Sequence, residues 1–183
     1  MRRENSTLSL ADISSPALGE LVRYWQSLEP APVIPHRQHF NPVDVPQCLR
    51  HIVLMDVLET KPRYYIRLAG SAVNPVYQKS IAGCYLEDIV REEDIVDVLS
   101  DYEHAVANQV PVFRVNASRL INGTLRPYER AILPMTSNGT TADKLLVGIN
   151  FFNVAPHLVD RPVSKLKSIE HTCPSPLSWS RLI

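Results

Sequence analysis

The chain has 183 residues, 45% hydrophobic and 21% charged, which is enough for one domain with a sizeable core plus extensions. Lys+Arg and Asp+Glu both number 19, so no global field draws the chain to nucleic acid or to an anionic membrane. No apolar run reaches the length of a membrane span, and no apolar block follows Arg2-Arg3 as a secretory signal would require. Cys48, Cys84 and Cys173 are scattered and odd in number, which fits free thiols in a reducing compartment and sets the expectation of a cytoplasmic protein.

Residues 1–14 are polar and read as a flexible N-terminus. A helix is predicted to start at Ser15-Pro16, with Ser15 as its N-cap and Pro16 at its first position. Leu18, Leu21, Val22, Trp25 and Leu28 form one apolar stripe, which must be buried against the domain, a second copy, or both. The stripe is therefore the expected homodimer or output interface. Residues 29–46 carry five prolines and read as an extended arm, leading to a short helical turn near 43–49. The helix and arm together make a segment over 15–49.

Residues 51–58 and 63–69 read as two strands joined by a tight turn around Thr60-Lys61-Pro62, the second ending at Gly70. Short helical pieces follow at 71–79 and 86–90, separated by Gly83. The longest helical pattern spans 92–109, with Ile95, Val98, Leu99, Tyr102 and Val106 on one side, and Pro111 stops it. Three further strands are expected at 113–121, 125–135 and 144–152, with Asn122-Gly123 and Asn138-Gly139 in the connections. Residues 154–183 are rich in Pro, Ser and Lys and read as a flexible tail. The domain proper thus covers 50–153. The fold class is α+β: a five-stranded antiparallel sheet with helices on one face and the N-terminal amphipathic helix on the other.

Several short stretches in fixed order carry a resemblance. They are Gly70, Gly83-Cys84-Tyr85-Leu86, Ile121-Asn122-Gly123-Thr124, Pro134-Met135 and Leu146-Val147-Gly148-Ile149. Over roughly residues 50–153 this order resembles the PAS domain family. More narrowly, residues 18–153 are similar to a group of short alphaproteobacterial single-PAS proteins of uncharacterised role. That similarity rests on Tyr24-Trp25-Gln26-Ser27-Leu28, Asp44-Val45-Pro46, His51-Ile52, Asp56-Val57, Arg67-Leu68-Ala69-Gly70 and Tyr128-Glu129-Arg130. The resemblance implies a sensory or regulatory module that binds a small ligand or a partner protein.

Strand register places the candidate site. A two-residue turn at Thr60-Lys61 would pair Asp56 with Tyr65 and Leu54 with Arg67, putting Asp56, Tyr65 and Arg67 on one face. A turn at Asn122-Gly123 would put Phe113, Val115 and Ala117 with Tyr128, Arg130 and Ile132, and leave Arg114, Asn116, Ser118 and Glu129 on a wet opposite face. Asp56, Tyr65, Arg67, Phe113, Tyr128 and Arg130 are therefore the expected ligand-binding residues on the cupped side. There an arginine fork could clamp a carboxylate or phosphate. The bland alternative is that Arg67 or Arg130 pairs with Asp56 or Glu87.

In some haem-binding PAS proteins the iron ligand lies on the long helix, where this chain has His104. That residue sits at the edge of the apolar stripe and reads as a surface histidine. Cys84 stands where light-sensing relatives carry a flavin-reactive cysteine, but Gly-Cys-Tyr-Leu-Glu-Asp lacks their Asn-Cys-Arg-Phe-Leu-Gln signature. Neither haem nor flavin is expected, and the cofactor stays unknown. His36 and His39 have no evident third ligand for a metal. No nucleotide-binding, nucleophile-elbow or zinc-protease motif is present, so no enzyme is expected. The sequence therefore points to a non-enzymatic sensor of a small ligand or unidentified partner protein that signals through a helix or dimer interface. A ligand-free docking adaptor is the alternative. Neither membrane nor nucleic-acid contact is expected.

Overall fold

Ser15 and Pro16 set the start of the first helix. Ser15 is extended and its hydroxyl accepts from the Leu18 N–H at 3.5 Å, while Pro16 fills a position whose N–H would have no helical partner. The helix is α1, Pro16–Ser27, in the computed structural model of this chain, which describes residues 13–28, 33–119 and 125–152. Residues 1–12 of the expected N-terminal segment 1–14 and the whole of the expected tail, 154–183, lie outside the described residues, as does the Asn122-Gly123 turn.

Five strands form one antiparallel sheet: β1 (Ile52–Val57), β2 (Tyr64–Ala69), β3 (Val112–Arg119), β4 (Leu125–Met135) and β5 (Lys144–Phe151). Their spatial order is β2-β1-β5-β4-β3, so the first and last strands in the chain lie side by side at its centre. Such a sheet needs covering on both faces, because its central strands are apolar on both; β5 is buried along Leu145–Ile149 without alternation. Between β2 and β3 the chain makes a 3-10 turn at Asn74–Tyr77, then α2 (Leu86–Ile89) and α3 (Ile95–Asn108). Gln109 ends α3 in the left-handed conformation.

The intervening helices cover one face. Val53, Met55, Tyr64, Ile66, Ile132, Leu145 and Val147 pack there against Tyr102 and Ala105 of α3 and Leu86 and Ile89 of α2. The other face holds a second cluster, in which Leu21, Val22 and Trp25 of α1 meet Ile52, Phe113, Ala131, Leu133 and Leu146. The Trp25 indole donates to the Pro134 carbonyl at 3.0 Å, satisfying its only polar atom while the ring is buried. Gly148 lets α1 approach this closely, since a Cβ there would stand 2.8 Å from Leu21 Cδ2. Leu18, Leu21 and Val22 are therefore fully buried within the single chain, and Trp25 nearly so. The stripe expected to pair with a second copy is occupied by the chain's own sheet.

Two registers differ from expectation. Asp56 faces Tyr65 as expected, but a bulge between Leu54 and Met55 leaves Leu54 opposite Leu68 rather than Arg67. In the β3–β4 hairpin Arg114, not Val115, lies opposite Arg130, and Asn116 lies opposite Tyr128. The described pairing runs to Arg119 opposite Leu125, a register one residue off from the one that a two-residue turn at Asn122-Gly123 would set. That one-residue slip exchanges the two faces of β3.

The outer edge of β2 is covered. Ile66 exchanges backbone bonds with Cys84 (2.9 Å) and Gly83 (2.8 Å), and Tyr65 bridges Tyr85. Among the described residues no strand covers the outer edge of β3. Cys48 is a buried free thiol, as expected. Cys84 is disulfide-bonded, which removes the thiol pattern as an argument for a reducing compartment. No helix among the described residues is long and apolar enough to cross a membrane.

Candidate functional site

Arg130 lies at the bottom of the cup formed by the sheet and α3. Two arginines, Arg114 and Arg130, stand directly opposite each other on neighbouring strands, an arrangement that repulsion would split without an anion between them. Asp101 of α3 supplies it. Arg114 grips both carboxylate oxygens, with its Nε 2.9 Å from Oδ2, and Arg130 donates to the same Oδ2 at 2.6 Å. The partner of Arg130 is thus Asp101, not the Asp56 or Glu87 considered from sequence. Glu87 instead accepts from the backbone N–H groups of Arg63 and Tyr64, fastening α2 to the start of β2.

Aromatic rings enclose this cluster. The Arg130 guanidinium carbon lies 5.0 Å from the Tyr102 ring centre and 5.9 Å from that of Tyr128. Tyr102 in turn touches Tyr64, and Tyr128 touches Phe151. Burial works against charge on Arg130, but Tyr128, Tyr102 and Asp101 outweigh it and hold its pKa above the ordinary arginine value. Burial pushes the Tyr64 phenol up to about 12 and also raises Tyr77 and Tyr102. The cup therefore presents neutral phenols around the buried Arg130 guanidinium. Two arginines against one aspartate leave it with a net charge of +1. Two polar atoms here stay unsatisfied, Arg130 Nε and the Tyr64 hydroxyl, each buried without a hydrogen-bond partner.

The predicted site residues do not form one group. Tyr128 and Arg130 face the cup. Phe113 belongs to the α1 side, because of the register slip. Asp56, Tyr65 and Arg67 do share a face, but it is the opposite one: their neighbours Met55, Tyr64 and Ile66 fill the cup core instead. There Asp56 pairs with Arg67 and, at 2.9 Å, with Lys144, as the bland alternative for Arg67 held. Arg114, expected on a wet face, belongs to the cup. Glu129 is not wet either. It is 3% exposed and accepts from Ser14 N–H (2.8 Å), Ser14 Oγ–H (2.6 Å) and Ser15 N–H (2.8 Å), pinning the start of α1. His104 is exposed on α3. Sequence reasoning missed Asp101, Tyr77 and Tyr102 as cup partners. The available signal was an acid inside the apolar stripe of α3, three residues after Val98 and four before Ala105.

A PAS domain family model matches residues 13–149, which is most of the chain and includes α1, the first four strands and most of β5. This chain belongs to the PAS domain family. PAS domains are sensory and signalling modules, and the five-stranded sheet with helices on its cupped face is their fold. Two solved structures are similar to this chain at low identity. An RNA-binding light-oxygen-voltage receptor is 11% identical, with a TM-score of 0.42 over 61% of this chain and 31% of that one. The chain thus spans about a third of that receptor's length. A sensory box histidine kinase/response regulator from Burkholderia thailandensis E264 is 10% identical, with a TM-score of 0.41 over 61% of this chain and 84% of that one. No curated protein matches. Within the PAS frame, Arg130 and its phenols occupy the hollow side of the sheet, and α1 is a helix packed on the outside.

Proposed function

We propose that this PAS domain is a non-enzymatic sensory module whose cup receives a small organic anion at Arg130. The observation that carries the reading is a buried guanidinium with an undonated Nε–H, in a cluster of two arginines and one aspartate. A buried cation with a spare donor favours a carboxylate, which would supply both the missing acceptor and the missing charge. The phenols of Tyr64, Tyr77, Tyr102 and Tyr128 would add neutral donors and a flat apolar wall. An incoming carboxylate competes with Asp101 for Arg130, while Arg114 keeps hold of Asp101. The ligand-bound state therefore differs by a shift of α3 over the sheet, and ligand stabilises that state by its better contact with Arg130. Residue 129 gives this shift an exit. Glu129 follows Arg130's backbone on β4 and holds Ser14 and Ser15, so movement of β4 is felt at α1 and by any partner that α1 or its outward face meets.

Native mass spectrometry of the purified protein tests the reading. The wild type is expected to carry a small acidic molecule, and Arg130→Gln to lose it by at least about tenfold in affinity. Asp101→Asn, which removes the competing carboxylate, is expected to retain it. A second reading is a ligand-free docking adaptor. The tight mutual burial of Tyr64, Ile132 and Leu145 in the cup favours it. In that case the protein leaves purification empty, and Arg130→Gln lowers stability without changing any bound species.

A further inference from the structure

A second cluster of opposite charges lies on the far side of the sheet, and its charges do not balance. Asp56 of β1 faces Lys144 of β5 across the ladder, and Arg67 of β2 closes on the same carboxylate. Arg37 comes from the arm before β1. Its backbone N–H donates to the Thr136 carbonyl at 2.7 Å, and His36 bridges Thr136, so Arg37 is fixed beside the end of β4. Arg37 has no carboxylate partner among the described residues. Its guanidinium rests 5.2 Å from the Phe40 ring centre, with one long bond of 3.4 Å to the Phe40 carbonyl. These four side chains line one hollow of about 210 Å³ together with Leu54 and Met135, which pack on the same face of the sheet; Met55 and Leu145 also border it, although their side chains belong to the cup core. Three cations and one carboxylate face the hollow, and only Arg67 and Lys144 share that carboxylate, which leaves an excess charge of two.

We infer that this outer hollow binds a small organic dianion whose oxyanion groups engage Arg37, Arg67 and Lys144, with Asp56 the internal counter-ion they displace. The hollow is smaller than the about 300–1,000 Å³ typical of drug-sized sites, so the occupant is of metabolite size. Two arginine forks and one ammonium suit a dicarboxylate or a phosphate monoester, and the methionine and leucine floor suits a short carbon chain. Arg67 is half exposed, with 52% of its side chain accessible, so the attraction is screened by water and weakens as salt is added. This site is separate from the cup, because β1 and β5 stand between them.

Isothermal titration of the full chain with succinate, glycerol 3-phosphate and propionate tests it. At least one dianion is expected to bind at least about tenfold more tightly than propionate, and the stronger of the two identifies the oxyanion class. Arg37→Ala is expected to weaken that binding about tenfold with an unchanged circular dichroism spectrum, since Arg37 leaves no ion-pair partner behind. Asp56→Asn is expected to tighten it several-fold, the opposite of what loss of a purely structural ion pair would do. In an Arg130→Gln background, which removes anion binding at the cup, the part of the titration that depends on Arg37 and Asp56 is expected to persist, which keeps this site distinguishable from the cup. The inference is overturned if neither dianion outbinds propionate. It is equally overturned if Arg37→Ala and Asp56→Asn, both folded, leave the affinity where it was.

Discussion

Glu129 and Arg130 are neighbours in sequence and point to opposite sides of one strand, each buried and each held by charge. Glu129 accepts three bonds from Ser14 and Ser15, and one donor, the Ser15 N–H, is buried with it. Glu129→Ala should therefore destabilise the protein by about 3 kcal/mol, and Glu129→Gln by clearly less, because the amide keeps one acceptor. Urea unfolding followed by tryptophan fluorescence measures both. Sequence alone could not assign this role. Alternation along β4 placed Glu129 opposite the cup correctly, but nothing in the pattern shows that a serine pair from over a hundred residues away arrives to cover it. Arg130 was legible, as a charge among apolar alternating positions. Its partner was not, because Asp101 reaches it from a separate helix.

At the level of elements, most boundaries could be read from local chemistry. Ser15-Pro16 opens α1, and β4 spans Leu125–Met135, the bounds expected for it. Register was harder. An Asn-Gly pair suggests a two-residue turn, yet the described register of β3 on β4 is one residue off from that, and the slip moved Phe113 to the α1 side and Arg114 into the cup. The bulge at Leu54/Met55 likewise has no residue-type signal in the sequence, since neither position is Gly or Pro. The contact of α1 with β5 supplies a sharp test. Gly148→Ala would push a methyl group into Leu21 and should cost about 1–3 kcal/mol. Adding Leu21→Ala opens that space, so the double variant should be more stable than the sum of the two single changes implies. Additive losses in urea melts would mean that α1 sits further from β5.

Across the molecule, two apolar layers sandwich one sheet, and the acids buried in them set the response to alkali. Burial pushes the Cys48 thiol up to about 11 and the Tyr64 phenol up to about 12, and raises Tyr77 and Tyr102 as well. In the unfolded chain these groups lose their protons near their ordinary values of 9 and 10. Above those values the folded state holds more protons than the unfolded one, so stability falls as pH rises, at about 1.4 kcal/mol per pH unit for each such group. The contribution is complete below pH 9 and is lost as pH climbs through 11 to 12. Melting temperature should drop steeply over that window. Phenolate absorbance should show Tyr64, Tyr77 and Tyr102 ionising only as the fold is lost, and early ionisation of all seven tyrosines would contradict the packing described.

The covering of β2 by Gly83, Cys84 and Tyr85 has a consequence for association. With that margin closed, β3 is the one open sheet edge among the described residues to which an extra ribbon of backbone can be added. Two copies that join there in a head-to-head fashion exhaust each other's vacancy, so growth by main-chain pairing stops at a pair and cannot run on into a filament.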